Sequence, residues 1–223
     1  MNGADLVIGN KNYSSWSMRA WLHLELSGVP FAETRIPLCT PRWDAEIHRY
    51  SPSGRVPVLR DGAITVWEST AIMEYVLDTF PRAIGWPLDP AARAVARAVS
   101  AEMHAGFLAL RTELPFNCRA RIAGVSISEA AQRDIARIRE VWVGCRERFG
   151  AGGPWLFGAL SIADVMYAPV ALRFVTYGVT VGAAEQSWME AVQVLPAVRK
   201  WCQDAEAETE VVERYTRKST TSA

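Results

Sequence analysis

The segment RVPVLRDGAITVWES, residues 55–69, contains the clearest β-hairpin of the sequence. Two short apolar runs flank Asp61 and Gly62, a favourable two-residue hairpin turn, so the two strands must be antiparallel. Pro57 cannot donate a backbone hydrogen bond and is unusual within a central strand, which indicates a bend at the start of the first strand. Glu68 and Ser69 follow the second strand at once and open the next helix.

The residues before the hairpin add two more strands and two helices. Residues 5–10 and 30–38 predict strands, the second at an edge of the sheet because its apolar and charged residues partly alternate. A helix follows the first strand, an irregular helix occupies residues 40–53, and the helix after the hairpin ends at Pro81. The predicted order is β-α-β-α-β-β-α, an α/β domain whose first two strands are parallel.

The composition changes at PRAIGWPLDP, residues 81–90, which predicts a linker. Beyond it, apolar residues recur at helical spacing over residues 91–122 and 128–149, and further helices are predicted from Ser161 and around residues 188–206. The last residues, RKSTTSA, are predicted to be disordered. We therefore expect three parts: a domain at residues 1–81, a linker at 82–90 and an all-helical domain at 91–223.

Charge and composition exclude several classes of function. The 24 basic and 24 acidic residues balance, which argues against a nucleic-acid surface or a polybasic membrane patch. No apolar run is long enough for a membrane span, and the N-terminus lacks the pattern of a signal peptide. The four scattered cysteines suit a reducing cytoplasm better than a disulfide framework, and the three separated histidines give no zinc motif.

Hydroxyl groups concentrate in NKNYSSWSMR, residues 10–19, where the first strand gives way to the first helix. Serine is a good N-cap, so these residues could simply start the helix. A hydroxyl at a helix N-terminus can also be presented to a ligand, because the amide groups and the helix dipole there favour an anion. In a later segment, Ser161 and Asp164 form an S-x-x-D capping box that starts a helix and says nothing about catalysis.

With these motifs, the order of elements resembles the soluble glutathione S-transferases, most nearly their zeta class. The stretch SSWSMR is similar to the zeta signature SSCSxR, with Trp16 in the place of the cysteine. The resemblance implies a thioredoxin-like N-terminal domain followed by an all-helical domain, and Ser14 as the hydroxyl that activates the thiol of glutathione. Ser15 and Tyr13 remain alternatives for that role.

Two further motifs carry the resemblance. GRVPVL is similar to the family's xVPxL motif, in which the proline is cis and the preceding residue offers its backbone to the cysteinyl part of glutathione. WESTAI is similar to the family's [ED]S pair, in which the acid meets the amino group of the γ-glutamyl end and the serine holds its carboxylate. The resemblance therefore implies a glutathione site formed by Ser14, Arg55, Val56, Pro57, Glu68 and Ser69.

The same resemblance implies a small electrophilic second substrate, a homodimer and no metal ion. The residues expected to line the pocket for the second substrate are Trp16, His104, Phe107, Leu108, Arg111 and Arg173. An arginine that faces this pocket would favour an acidic or carbonyl-containing substrate.

Three alternatives stand beside the addition of glutathione to an electrophile. A glutathione-dependent isomerase of the maleylacetoacetate type would use the same glutathione site. A transferase-like binding module would keep the fold without catalysis. A serine hydrolase is disfavoured, because the sequence has no GxSxG motif and no histidine placed near an acid by a recognisable motif.

Overall fold

The computed structural model describes residues 3–122 and 124–217. The tail from residue 218 onward, most of the segment predicted to be disordered, lies outside the described residues. Within the described ranges no helix is both long enough and apolar enough to cross a membrane.

The chain divides into two units. The first comprises the residues up to Ile84 together with Lys200–Val212, and the second comprises Gly85–Arg199 together with the chain from Glu213. The domain limits expected from the sequence did not place Lys200–Val212 in the first unit. Those expected limits stay a prediction.

The first unit has the predicted order of strands and helices. Its elements are β1 (Ala4–Ile8), α1 (Ser15–Leu26), β2 (Phe31–Arg35), α2 (Pro41–Tyr50), β3 (Val58–Asp61), β4 (Ile64–Trp67) and α3 (Ser69–Thr79). The hairpin turn lies where Asp61 and Gly62 place it, with Gly62 at a φ of 59° that glycine adopts readily. Asp61 also accepts a hydrogen bond from the Tyr75 hydroxyl at 3.0 Å, which ties the turn to α3.

The four strands form one mixed sheet in the order β2-β1-β3-β4. β1 and β2 are parallel and β3 and β4 antiparallel, as predicted, and β2 lies at an edge. β1 and β3 are antiparallel, with Val7 opposite Val58. These two residues are fully buried and form a core cluster with Ile36 and Ile47, which holds α2 against the sheet.

The second unit is helical, as predicted, and its described part contains isolated β-bridges but no strand. Its elements are α4 (Pro90–Ala105), α5 (Leu108–Glu113), α6 (Glu129–Phe149), α7 (Ile162–Tyr177), α8 (Ala183–Val194) and a 3₁₀ turn (Glu213–Tyr215). A further helix, α9 (Pro196–Glu206), begins in this unit and ends in the first. Together these elements confirm the predicted fold class, a βαβαββα unit and an all-helical unit.

Two helix predictions in this unit are wrong in detail. The helical pattern of residues 91–122 is interrupted, because α4 ends at Ala105, Gly106 is its cap and Phe107 adopts a left-handed conformation with a φ of 59°. After α5, residues 114–122 and 124–128 are not helical. The final helix expected around residues 188–206 is two helices, since Pro196 cannot continue the hydrogen bonding of α8 and instead opens α9.

Helix α7 is the centre of the second unit, and its start is fixed by the predicted capping box. Asp164 is fully enclosed and accepts hydrogen bonds from the backbone N–H and the hydroxyl of Ser161 at 2.9 and 3.0 Å. It also accepts from the Leu156 N–H and the Trp188 indole at 2.9 and 2.8 Å. The Trp188 ring packs 4.4 Å from that of Trp142, so the cap is joined to the aromatic core.

Candidate functional site

The strand register brings the three predicted glutathione motifs to one end of the sheet. Val7 lies opposite Val58, and Val58 lies opposite Trp67. The end of β1, the start of β3 and the end of β4 are therefore neighbours. Each carries one motif, because β1 leads into the serine stretch, Pro57 precedes β3 and Glu68 follows β4.

The Val56–Pro57 peptide bond is cis, as the resemblance implied. Pro57 is buried, and the side chain of Val56 packs on the core cluster beside Val58. The backbone N–H of Arg55 donates to the Ser51 hydroxyl at 3.0 Å, which fixes the chain just before the cis bond. The Arg55 side chain is exposed.

The serine stretch begins with a tight turn and ends as a helix cap. The carbonyl of Asn10 accepts hydrogen bonds from the N–H groups of Tyr13 and Ser14 at 3.1 and 2.8 Å. Ser14 is the N-cap of α1, since its hydroxyl oxygen accepts from the N–H of Ser17 at 3.2 Å. The capping interpretation of this serine is therefore correct, and it does not exclude a second role.

The hydroxyl groups of Ser14 and Ser17 form a hydrogen-bonded pair. The sequence placed the two serines close together but did not predict this hydrogen bond. The Ser14 hydroxyl donates to the Ser17 oxygen at 2.8 Å, and the Ser17 oxygen also accepts from the Gly9 N–H at 3.1 Å. A hydroxyl proton rotates to suit its partners, so the Ser14 proton can turn from the Ser17 oxygen to a ligand. The three-residue spacing from an N-cap to the next serine is the sequence signal for this pair.

Ser15 and Tyr13, the alternative hydroxyls, have different surroundings. Ser15 is the first residue of α1 and is half-buried, and its hydroxyl has no hydrogen-bond partner within residues 3–122 and 124–217. Tyr13 is 4% exposed and packs in the core of the unit. Ser14 is 6% exposed, so burial does not separate it from Tyr13, and the hydroxyl that meets a ligand stays a prediction.

The third motif forms an uncapped helix start. Glu68 precedes α3 with a φ of 71°, a conformation that non-glycine residues rarely adopt, and its side chain makes no capping hydrogen bond. Ser69 is 1% exposed, and its hydroxyl oxygen has no hydrogen-bond partner among the described residues. The first turn of α3 contains no acidic residue. Because a buried polar group without a partner is costly, this arrangement suits a bound anion.

The residues predicted to line the second-substrate pocket lie in both units. Trp16 belongs to the first, where it is half-buried with the Arg19 guanidinium 4.5 Å from its ring centre. In the second unit, His104 is near the end of α4, Phe107 is buried at the left-handed break, and Leu108 is 75% exposed. Their membership of one pocket stays a prediction.

Two arginines of this predicted set share one region of the second unit. Arg111 donates to the backbone carbonyls of Met103 and His104. Arg173 is 3% exposed and donates from Nε to the Leu114 carbonyl at 2.5 Å. Burial and, to a smaller extent, the positive charge of Arg111 lower the pKa of Arg173 to about 10. In the described part of the chain, no carboxylate pairs with Arg173.

A buried cation without a carboxylate partner is expensive, so Arg173 suggests an anionic partner. Tyr177 lies one turn later on α7 and donates its hydroxyl to the Pro115 carbonyl at 2.8 Å. Burial raises the pKa of Tyr177 to about 12, so this phenol stays protonated and cannot supply the missing negative charge. Over residues 3–122 and 124–217, no group of three or more histidine, cysteine or acidic side chains could hold a metal ion.

Two sequence models of one protein family match segments of the chain, and curated proteins match part of it. The sequence model of the glutathione S-transferase N-terminal domain matches residues 13–79, and that of the C-terminal domain matches residues 128–204. Maleylacetoacetate isomerase of Mus musculus is 34% identical over 90 residues, 39% of this chain and 42% of that protein. Dichloromethane dehalogenase of Methylorubrum extorquens is 43% identical over 60 residues, 26% of this chain and 21% of that protein. The matched segments thus span less than half of these curated relatives.

Solved structures share the fold over nearly the whole chain. A glutathione transferase homologue from Burkholderia GL BGR1, solved with bound glutathione, has a TM-score of 0.71 at 23% identity, with 93% of this chain and 100% of that chain covered. A glutathione S-transferase from the Antarctic clam Laternula elliptica has a TM-score of 0.72 at 18% identity, with 93% and 95% covered.

Proposed function

Because the chain belongs to the glutathione S-transferase family, we propose that it binds glutathione, stabilises the thiolate and adds it to an electrophilic substrate. The observation that carries the proposal is the meeting of three features at one end of the sheet. These are the serine pair at the start of α1, the cis bond before Pro57 and the uncapped start of α3 with its buried Ser69 hydroxyl.

The start of α3 is suited to the γ-glutamyl end of glutathione. The Ser69 hydroxyl lacks a partner within the described chain and would donate to the carboxylate, and the N–H groups of the first turn would add to the attraction. Glu68 would meet the amino group. The backbone of Val56, just before β3 at the same end of the sheet, would meet the cysteinyl part, so the thiol would extend toward α1.

The start of α1 is suited to the thiolate. A cysteine-like thiol has a pKa of about 8.5, so only a minority is ionised at neutral pH. Lowering that pKa by about 2 units takes about 2.7 kcal/mol, which a charge-assisted hydrogen bond and a helix N-terminus can supply. We propose that Ser14 donates this bond and that Ser17 orients it, because the Ser17 N–H donates to the Ser14 oxygen and the Ser17 oxygen lies 2.8 Å from it. Ser15 is the alternative donor.

The second substrate would be a small electrophile, and Arg173 favours one that carries an acid or carbonyl group. Its guanidinium is buried without a carboxylate among the described residues, so an anionic substrate would supply the missing counter-charge. Glutathione-dependent isomerisation is a second candidate, because the chain is 34% identical to maleylacetoacetate isomerase over 90 residues. A non-catalytic binding module is the third.

We further propose a cytoplasmic homodimer, which the family implies. Strand β4 is the edge of the sheet opposite β2, and two of its apolar residues, Ile64 and Trp67, are 50% and 42% exposed in the single chain. Apolar exposure on an edge strand suits a surface that a partner covers. Sedimentation analysis of the wild type and of Trp67→Lys tests this point, and a wild-type monomer would contradict it.

The experiment that tests the function is calorimetric titration with glutathione, followed by turnover with chlorodinitrobenzene as a neutral electrophile. Saturable binding of glutathione together with conjugate formation is expected. Binding without turnover of any electrophile tested would favour the binding module. Failure to bind glutathione would overturn the proposal.

A further inference from the structure

We propose that Glu208, near the C-terminal end of the described chain, is a positioning residue that holds the loop bearing the catalytic hydroxyl. The proposal rests on the function above, since it concerns the same serine stretch. It assigns to the segment after α9 a part in glutathione activation that neither the sequence motifs nor the matched domain segments indicate, because both matched segments end before residue 208.

The Glu208 carboxylate bridges two successive backbone groups of the loop between β1 and α1. Its Oε1 accepts from the N–H of Lys11 at 2.7 Å, and its Oε2 accepts from the N–H of Asn12 at 3.2 Å. Glu208 is 9% exposed, and both hydrogen bonds are buried. A carboxylate that uses one oxygen for each N–H fixes the loop in two places at once.

The backbone N–H groups of the loop between β1 and α1 donate to two different acceptors. The N–H groups of Tyr13 and Ser14 turn inward to the Asn10 carbonyl. Those of Lys11 and Asn12 donate instead to the Glu208 carboxylate. Without Glu208, two buried N–H groups would lose their acceptor, and the loop would have to rearrange to find another.

A second set of contacts joins the same two segments. Lys11 is 5% exposed, and its Nζ lies 2.7 Å from Asp204 and 2.8 Å from Glu33. The ammonium group also lies 4.9 Å from the ring centre of Trp21 and 5.5 Å from that of Trp201. Asp204 and Trp201 belong to α9, so the helix and the residues after it hold the loop by its side chain as well as its backbone.

The charge of Glu208 is balanced inside the first unit. The Arg35 guanidinium lies 3.6 Å from Glu208 and 2.9 Å from Glu210. Arg35 therefore pairs more closely with Glu210 than with Glu208. The Glu208 oxygens accept the hydrogen bonds from the loop. This difference makes Glu210 a matched control, because it lies two residues away, carries the same charge and pairs with Arg35 at 2.9 Å.

The position of the loop decides where the Ser14 hydroxyl points, since Ser14 follows it directly and caps α1. A displacement of about 1 Å at a reacting group can cost on the order of a hundredfold in rate. Loosening the loop should therefore weaken the hydrogen bond to the thiolate. It should affect glutathione binding much less, because the γ-glutamyl end is assigned to α3.

The test compares Glu208→Gln with Glu210→Gln, using the pKa of enzyme-bound glutathione from ultraviolet thiolate absorption and the pH profile of kcat/KM. We expect Glu208→Gln to raise the bound-thiol pKa and to lower kcat on the order of tenfold to a hundredfold, with little change in the KM for glutathione. Glu210→Gln should behave as the wild type. A folded Glu208→Gln enzyme with a wild-type pKa and pH profile would overturn the proposal.

Backbone amide exchange in the wild type gives a test that does not require the variant to fold. If Glu208 holds the loop, the amides of Lys11 and Asn12 should exchange as slowly as those of β1. Exchange at the rate of an open loop would overturn the proposal. If the wild type binds no glutathione, the proposed function fails, whereas slow exchange at these two amides would still establish the structural link.

Discussion

The hydroxyl oxygens of Ser14 and Ser17 lie 2.8 Å apart, while the N–H of Ser17 donates to the Ser14 oxygen at 3.2 Å. Ser14 thus caps its helix and belongs to a hydroxyl pair that ends at the Gly9 N–H. The capping hydrogen bond uses an acceptor position of the Ser14 oxygen. The hydroxyl proton of Ser14 can therefore still turn toward a ligand. The structural and the catalytic interpretations of this serine are therefore compatible, and the predictions below separate them.

Replacing Ser69 with alanine should weaken glutathione binding and leave the free protein at least as stable. The Ser69 hydroxyl is buried without a partner in the described chain, so its removal relieves a cost in the free protein. A hydrogen bond to a carboxylate contributes about 1.5–3 kcal/mol, which predicts a loss of affinity of about tenfold or more. Calorimetry and thermal unfolding measure the two effects. Lower stability with unchanged affinity would show that the hydroxyl serves the fold alone.

Replacing Arg173 with methionine should impair turnover of an acidic electrophile selectively. A chlorodinitrobenzoate and its methyl ester form a matched pair, because only the acid can supply a counter-charge to this buried cation. We expect KM for the acid to rise by about tenfold, the worth of one charged hydrogen bond, and KM for the ester to change little. Equal losses with both compounds would indicate that Arg173 only supports the Leu114 carbonyl.

Replacing Asp164 with alanine should destabilise the second unit severely. Four groups donate to this enclosed carboxylate: the N–H and hydroxyl of Ser161, the Leu156 N–H and the Trp188 indole. Several of them would be left buried without an acceptor, at about 1–3 kcal/mol each. Chemical denaturation should show a much larger loss than Ser161→Ala. Losses of equal size would mean that the capping hydroxyl, and not the carboxylate, holds the start of α7.

Acidification should destabilise the first unit through His23. This residue is fully enclosed on α1 and donates from Nε2 to the Ile84 carbonyl at 2.7 Å. Burial lowers the pKa of His23 from 6.5 to about 4. Between these values the unfolded chain binds more protons than the folded one, so stability falls as pH drops through this window, by about 3 kcal/mol in all. His23→Gln should flatten this part of the pH dependence, and an unchanged curve would contradict the assignment.

Local signals in the sequence predict most of the first unit. The Asp61–Gly62 pair fixes the hairpin, and the alternation of apolar and polar residues places β2 at an edge. The breaks in the second unit follow from single residues. The Pro196 break is visible in the sequence, whereas the left-handed turn at Phe107 has no local sign because phenylalanine does not favour that conformation.

The parts of the site that arise from distant contacts are hidden in the sequence. Glu208 and Lys11 are separated by 197 residues, and no periodicity or motif relates them. The Ser69 hydroxyl could be expected at a helix start, but its burial without a partner depends on packing around α3. Local motifs therefore indicate which residues to inspect, and only the packed chain gives their partners.

The most direct test of the account is the ultraviolet thiolate spectrum of bound glutathione against pH, for the wild type, Ser14→Ala and Ser15→Ala. We predict that the wild type lowers the thiol pKa well below its free value, that Ser14→Ala returns it toward that value, and that Ser15→Ala changes it little. A lowered pKa that survives Ser14→Ala would contradict the assignment of the catalytic hydroxyl to Ser14. No lowering of the pKa in the wild type would contradict thiolate stabilisation altogether.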